Sequence, residues 1–245
     1  MPIYRLRDSP AFPDPSGADA DGLVAYGGDL NPNRLLAAYA QGLFPWPHGE
    51  DWPLLWFSPD PRTVLVPTDL HVSRSLRKTL RQGVFTVSFD TAFEHVIRAC
   101  AATKRPGQQG TWITPAMQHA YRVLHELGFA HSAEAWLEGQ LVGGVYGVSL
   151  GAAFFAESMF TRRSNAAKVA FVRLVRQLGS WDFHFIDCQM HSDHVKRFGA
   201  VAWERSHFLS ALARALRLPT HRGRWALYDR DGAAPSNGHA ARRPV

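Results

Sequence analysis

Between residues 84 and 161 the spacing of hydrophobic positions changes character repeatedly. VFTVSFD (84–90) alternates apolar and polar residues and predicts a half-buried strand, whereas AFEHVIRACAAT (92–103) has helical spacing. TWITPAMQHAYRVLHELG (111–128) predicts another helix: Thr114 is a natural N-cap, Pro115 suits the first helical position and Gly128 ends it. Three strand-like runs follow, HSAEAWLE (131–138), QLVGGVYGVSL (140–150) and AAFFAESMF (152–160), joined by Glu-Gly and Leu-Gly turns. SNAAKVAFVRLVRQLG (164–179) is a helix capped at both ends, FHFIDCQ (183–189) a strand, SDHVKRFG (192–199) a short helix and SHFLSALARAL (206–216) a last helix. With the basic helix SRSLRKTLRQG (73–83) in front, this order predicts an α+β fold, an antiparallel meander flanked by helices.

The first 62 residues read differently, being rich in Pro, Gly and Trp. NPNRLLAAYAQG (31–42) predicts a short helix with Asn31 as N-cap, Pro32 in the first turn and Gly42 as terminator. The next stretch, LFPWPHGEDWPLLWFSPDPR (43–62), reads as an irregular, aromatic-walled segment and not a sheet of its own. Residues 1–62 are therefore expected to form a small N-terminal domain and 63–230 the main one. DGAAPSNGHAARRPV (231–245) is low in hydrophobics and reads as a disordered tail.

Composition narrows the class. Hydrophobic residues make up 46% and charged ones 20%, as in soluble globular proteins, and no apolar run reaches the length of a membrane span. Two cysteines, Cys100 and Cys188, are too few for a disulfide-stapled secreted fold, so a cytoplasmic protein is expected. A net charge of +6 is a mild bias toward an anionic partner such as nucleic acid. Part of that excess is local, in Arg74, Arg77, Lys78 and Arg81.

Candidate chemistry concentrates in HFIDCQMHSDH (184–194). His191 and His194 near Cys188 and Asp193 evoke a zinc site, but no second Cys or His pair stands at a ligand spacing. Cys188 lies in a buried-looking strand, where a cysteine is usually a small core hydrophobe and not a nucleophile. Alternation puts Phe185, Asp187 and Gln189 on one face, so a carboxylate and an amide point into the same space. The competing reading makes Asp187 a cap for the helix at 192–198, with Gln189 a loop hydrogen-bonder. Glu157 is a carboxylate among apolar residues, expected to share a face with Phe155 and Met159, and it needs a partner or a function there. Arg162 and Arg163 precede a helix start capped by Ser164 or Asn165, which is either an anion site or a pair of solvated arginines. The glycines of GGDL (27–30) and VGGVYGVSLG (142–151) lack dinucleotide or P-loop spacing.

Several segments together resemble the leucyl/phenylalanyl-tRNA–protein transferases. They are GLVAYGGDLNPNRLLAAYAQGLFPW (22–46), LWFSPDPRTVL (55–65), LHVSRSLRKTLR (70–81), GTWITPAM (110–117), AHSAEAWLEGQLVGGVYGVSLG (130–151), FFAESMFTRRSNAAKVA (154–170) and FIDCQ with SDHVKRFGA (185–200). The resemblance implies a GNAT-like acyltransferase domain behind a small N-terminal domain. It also implies transfer of Leu or Phe, and less readily Met, from aminoacyl-tRNA to proteins with N-terminal Arg or Lys, marking them for N-end-rule degradation. Neither a metal nor a cofactor is implied, no membrane is involved, and the chain is expected to be a monomer. The pyrophosphate-binding loop of coenzyme A users is missing, which counts against an acyl-CoA N-acetyltransferase. A non-catalytic RNA-binding module is the other competing reading.

Carried over position by position, the resemblance implies that Asp187 and Gln189 are the catalytic pair and Glu157 the pocket carboxylate. It assigns the donor side-chain pocket to Phe154, Met159, Phe171, Leu174, Leu178 and Ile186. Tyr39, Trp46 and Trp112 match residues that hold the terminal adenosine, and Arg74, Arg77, Lys78 and Arg81 suit the tRNA backbone. Ala156 stands where glycine is usual and Val145 where methionine occurs, while Leu174 and Leu178 replace aromatics.

Overall fold

The elements expected from spacing fold around two sheets in a computed structural model that describes residues 3–7, 9–49, 52–103 and 111–226. The chain begins with β1 (Tyr4–Leu6), β2 (Leu23–Gly27) and α1 (Pro32–Ala40), whose Asn31 cap accepts the Asn33 N–H at 3.1 Å. Then come β3 (Phe44–Pro45) and β4 (Leu55–Phe57). These four strands form one sheet in the order β1-β2-β4-β3. The stretch 43–62, expected to be irregular, thus supplies two strands. Its Pro47 and Pro53 fall in the connection, where no ladder bond is required. Trp56 is buried and its indole N–H donates to Gly27 O at 2.9 Å, which ties β4 to β2.

The rest of the chain supplies β5 (Arg62–Leu65), α2 (Arg74–Gln82), β6 (Thr86–Phe89), α3 (Phe93–Ala101), α4 (Pro115–Glu126), β7 (Ala130–Leu137), β8 (Gln140–Leu150) and β9 (Ala153–Thr161). It ends with α5 (Ala166–Ser180), β10 (Phe185–Gln189), α6 (Asp193–Lys196), β11 (Val201–Trp203) and α7 (Arg205–Ala215). The second sheet runs β11-β5-β10-β9-β8-β7-β6, so the expected meander is its centre. The α+β class is as expected. Residues 227–245, which hold the expected tail and the end of the expected main domain, lie outside the described residues, as does Gly110. No helix among the described residues is long and apolar enough to cross a membrane.

Two apolar cores sandwich this sheet. Side chains of α1, α3, α4 and α7 pack on one face with Phe155, Phe160 and Phe185, and they join the first sheet through Ala25, Leu43 and Trp56. The other face is covered mainly by α5, with Leu76 of α2. Strand β8 approaches α5 so closely that a Cβ on Gly143 would lie 2.6 Å from Ala167 N, which excludes any larger residue.

Two irregularities shape the centre. All neighbours in the second sheet are antiparallel except β9 and β10, which run parallel with Ile186 beside Phe154 and Asp187 beside Phe155. Pairing stops there while both strands continue, so a gap opens between their ends. The ladder of β8 with β9 also slips between Tyr146–Ser158 and Gly147–Ala156, leaving Glu157 as an extra residue, a β-bulge. The bulge corrects the expected face shared by Phe155, Glu157 and Met159. Phe155 packs on the α1/α3/α4 side, and Met159 packs on the α5 side.

Candidate active site

Glu157 is held at the gap by three donors. Tyr39 on α1 donates its hydroxyl to Oε1 at 2.8 Å, Tyr121 on α4 donates to Oε2 at 3.1 Å, and the Gln189 amide donates to Oε1 at 2.9 Å. The two tyrosine hydroxyls also touch each other. Local sequence explains each position. Tyr121 shares the buried stripe Met117, Ala120, Tyr121 and Leu124 at helical spacing, and Tyr39 lies in the last turn of α1 beside Ala38. Burial pushes the Glu157 carboxyl up to about 7, against the pull of its three donors, with the Asp187 charge adding to the rise. Burial and that same carboxylate raise both tyrosines well above 10, so they remain donors.

Asp187 is sealed in the first core and fully buried. Arg62 of β5 grips it with two bonds, Nε to Oδ1 at 2.8 Å and Nη2 to Oδ2 at 2.7 Å. The same guanidinium donates to Gly42 O at 3.0 Å and lies over the rings of Phe44 at 4.9 Å and Phe208 at 4.5 Å. Asp187 Oδ1 also accepts the backbone N–H of Gln189 at 2.8 Å, and Gln189 adopts a left-handed φ of 61°. The ladder of β10 with β5 slips at this point. Asp187 and Gln189 are therefore neighbours whose side chains go separate ways, one to Arg62 and one to Glu157, which corrects the expected common direction. The reading of Asp187 as a helix cap is overturned too, because Ser192 caps α6 through the Val195 N–H at 3.4 Å.

A cavity of about 280 Å³ opens above Glu157 and Gln189 and is walled by Phe44, Pro45, Trp46, Trp112, Cys188, Met190, His191 and Ser192. Trp46 and Trp112, both assigned to the terminal adenosine, line the same cavity. Tyr39 does not; it is fully buried beneath Glu157, so it offers no surface to a base. Phe154, Phe171, Leu174, Leu178 and Ile186 are all buried in the α5 core, with Met159 half-buried beside them. Arg74, Arg77, Lys78 and Arg81 are exposed on α2, whose Thr79 accepts a hydrogen bond from Asn165 at the start of α5. Of the two expected caps, Ser164 and Asn165, it is Asn165 that holds the N-cap position, in a left-handed conformation and without a side-chain capping bond.

The remaining polar groups of this segment separate. Burial and the neighbouring Asp187 charge raise the Cys188 thiol, so it stays protonated and is no nucleophile. His184 and His191 are exposed, and no cluster of three or more His, Cys, Asp or Glu suited to a metal ion exists among the described residues. A larger groove of about 940 Å³ lies between α3, α4 and residues 222–224, apart from these side chains. Two residues of the site went unseen in the sequence, Arg62 and Tyr121. Their only signals were an arginine inside the apolar run RTVL and a hydroxyl on the apolar stripe of α4.

A family model described as leucyl/phenylalanyl-tRNA protein transferase matches residues 64–213, and a model of that family's N-terminal domain matches 28–60. A leucyl/phenylalanyl-tRNA–protein transferase of Myxococcus xanthus is 58% identical over 236 residues, covering 96% of this chain and 99% of the relative. One from Anaeromyxobacter sp. (strain Fw109-5) is 60% identical over 227 residues, covering 93% of this chain and 96% of that one. Among solved structures, a GCN5-related N-acetyltransferase from Kribbella flavida overlaps at a TM-score of 0.36 and 12% identity, over 68% of this chain and 58% of that one. That overlap is too loose to add to the sequence relationship.

Proposed function

The chain belongs to the leucyl/phenylalanyl-tRNA–protein transferase family, and from that premise we propose that it moves Leu or Phe, and less readily Met, from aminoacyl-tRNA to proteins with N-terminal Arg or Lys. The product would carry a destabilising N-terminus for N-end-rule degradation in the cytoplasm, and the chain would act as a monomer. Residues 1–62 would form a small N-terminal domain and 63–230 the catalytic one, a division supported by the first sheet ending at Phe57 and the second beginning with β5 at Arg62.

The reaction is ester aminolysis. The acceptor nitrogen attacks the aminoacyl carbonyl carbon, the bond to the 3′ oxygen breaks, and the proton lost by nitrogen ends on that oxygen. An α-amine with a pKa near 8 is about one-tenth neutral at pH 7, a penalty of ~1.4 kcal/mol. Positioning amine and ester can supply roughly 7–11 kcal/mol. Geometry therefore outweighs basicity, and neither a metal nor a covalent intermediate is needed. The observation that carries this reading is Glu157, a buried carboxylate under three donors, opening onto a cavity between two tryptophans. Glu157 holds the donor's α-ammonium, and Gln189 steadies the oxygen of the tetrahedral carbonyl. Asp187 acts through Gln189, whose backbone it holds, and Arg62 fixes Asp187. Trp46 and Trp112 stack on the unpaired adenine, and α2 follows the phosphates without reading sequence.

The direct test is transfer of labelled Phe from Phe-tRNA to a protein beginning with Arg, with Leu-tRNA, Met-tRNA and an N-terminal Lys acceptor in parallel. RNA binding without transfer from any donor would leave a binding module in its place. Reversing two α2 charges, Arg74→Glu with Lys78→Glu, is expected to weaken tRNA binding at least tenfold at ~0.1 M salt. It should also flatten the salt slope by about two phosphate contacts, with kcat nearly unchanged. A titration series at several salt concentrations checks this.

Glu157 should also leave a pH signature. Folding raises this carboxyl from 4.5 to about 7, so its contribution to stability is full below pH 4.5 and is lost as the pH climbs through 7. The amount is on the order of 3 kcal/mol. The donor-free protein should therefore lose stability between about pH 5 and about pH 8, and Glu157→Gln should remove that fall. Ionisation over the same window should tighten donor binding in the parent and not in the variant. Urea melts and donor Kd across pH measure both, and parallel curves for the two proteins would remove Glu157 from the ammonium site.

A further inference from the structure

Beyond α7 the chain returns across the molecule as a strap. Thr220 Oγ1 accepts the Gly151 N–H at 2.8 Å, and Arg222 donates to Leu127 O at 2.9 Å with its guanidinium 4.3 Å over Phe129. Gly223 passes so close to Gly128 that a Cβ on Gly128 would sit 2.5 Å from Gly223 N. The strap then delivers Trp225 into the α5 core, where it is 2% exposed. Its backbone N–H donates to Asp90 Oδ2 at 2.7 Å, and its indole N–H donates to His221 O at 2.9 Å. Asp90 is itself buried and anchored, accepting the Ser132 N–H at 2.9 Å and contacting His131 Nδ1 at 2.8 Å. The Trp225 ring stacks on His131 at 3.7 Å and lies 5.8 Å from Phe154 and 6.1 Å from Phe183.

Phe154 is the β9 residue beside Ile186 of β10, three positions before Glu157 along the strand. A donor whose ammonium is held at Glu157 would extend its side chain toward that end. Trp225 lies behind Phe154, fixed by hydrogen bonds at both its backbone and its ring. We propose that Trp225 is a specificity-determining residue: it sets the position of Phe154 and hence the depth available to the donor side chain, so it governs the preference for Phe over Leu. This rests on the family resemblance, which assigns the donor side-chain pocket to Phe154 and its neighbours in the α5 core. Removing part of the indole lets the Phe154 ring retreat, and a deeper pocket favours the longer phenyl side chain. Small changes in the volume of an apolar pocket shift substrate discrimination by roughly tenfold or more, so a partial retreat should be readable.

The experiment compares the full chain with Trp225→Phe, Trp225→Leu and Phe154→Ala. Arg222→Ala serves as a control on the same strap that does not touch Phe154. The ratio of kcat/KM for Phe-tRNA to that for Leu-tRNA is measured with one acceptor, alongside melting temperature. Trp225→Leu is expected to raise the ratio by about threefold or more, Trp225→Phe by less but in the same direction, and Arg222→Ala not at all. Equal loss with both donors in the Trp225 variants, or an equal shift from Arg222→Ala, overturns the proposal. If Trp225→Leu does not fold, Trp225→Phe decides the matter alone. Should Phe154→Ala leave the ratio untouched, the donor pocket itself is misplaced. A shift with Phe154→Ala but none with either Trp225 variant sinks only the role of Trp225.

Discussion

Gln189→Ala is expected to lower turnover by ~10²-fold or more while the protein remains folded, because in the proposed mechanism its amide is a positioned donor to the reacting carbonyl. The residue is half-buried at the open end of the gap between β9 and β10, and its amide lies 2.9 Å from Glu157. Its structural contribution is one hydrogen bond, worth about 1 kcal/mol. Melting temperature should therefore move little while single-turnover rates collapse. Gln189→Glu should be no rescue, since it sets a second carboxylate against Glu157. A near-normal single-turnover rate for Gln189→Ala would take this side chain out of the mechanism.

Arg62→Ala is expected to destabilise the protein by roughly 3–5 kcal/mol, the usual cost of leaving half of a buried ion pair behind. Both partners are fully buried and joined by two short bonds, so the stranded Asp187 carboxylate has no water to turn to. Asp187→Ala should lose stability similarly, and turnover by ~10²-fold, because the Gln189 backbone is released. A double variant, Arg62→Met with Asp187→Leu, separates these effects. An apolar pair of similar volume often restores stability, whereas nothing in it holds the Gln189 N–H, so turnover should stay low. Urea denaturation and kcat on the same samples decide. If Asp187→Asn abolishes turnover with stability intact and Gln189 unmoved, Asp187 takes part in proton transfer directly.

The helices were legible where hydrophobic spacing and caps agreed. Asn31, Thr114 and Ser192 each accept the backbone N–H that helix starts leave free. The strands of the meander were legible because their apolar runs end at glycine turns. The short strands β1, β3, β4 and β11 were not, since two or three residues carry no period and their pairing comes from chain segments far away. Alternation also failed at Glu157, where an inserted residue on β9 resets which side chains share a face. It failed again at Gln189, where a left-handed backbone turns the amide away from Asp187. Both departures occur at the candidate site.

By itself, the sequence determined the α+β class, the family and the basic helix, and it singled out Glu157, Asp187 and Gln189 as candidates, because helix periodicity, capping and motif order are local properties. Only the tertiary structure decided what those three residues do to one another. The partner of Asp187 is Arg62, 125 positions away, and the partners of Glu157 include Tyr39, 118 positions away, and Tyr121, 36 away. A buried charge takes its character from whichever group the fold brings within 3 Å. No local pattern encodes that distance.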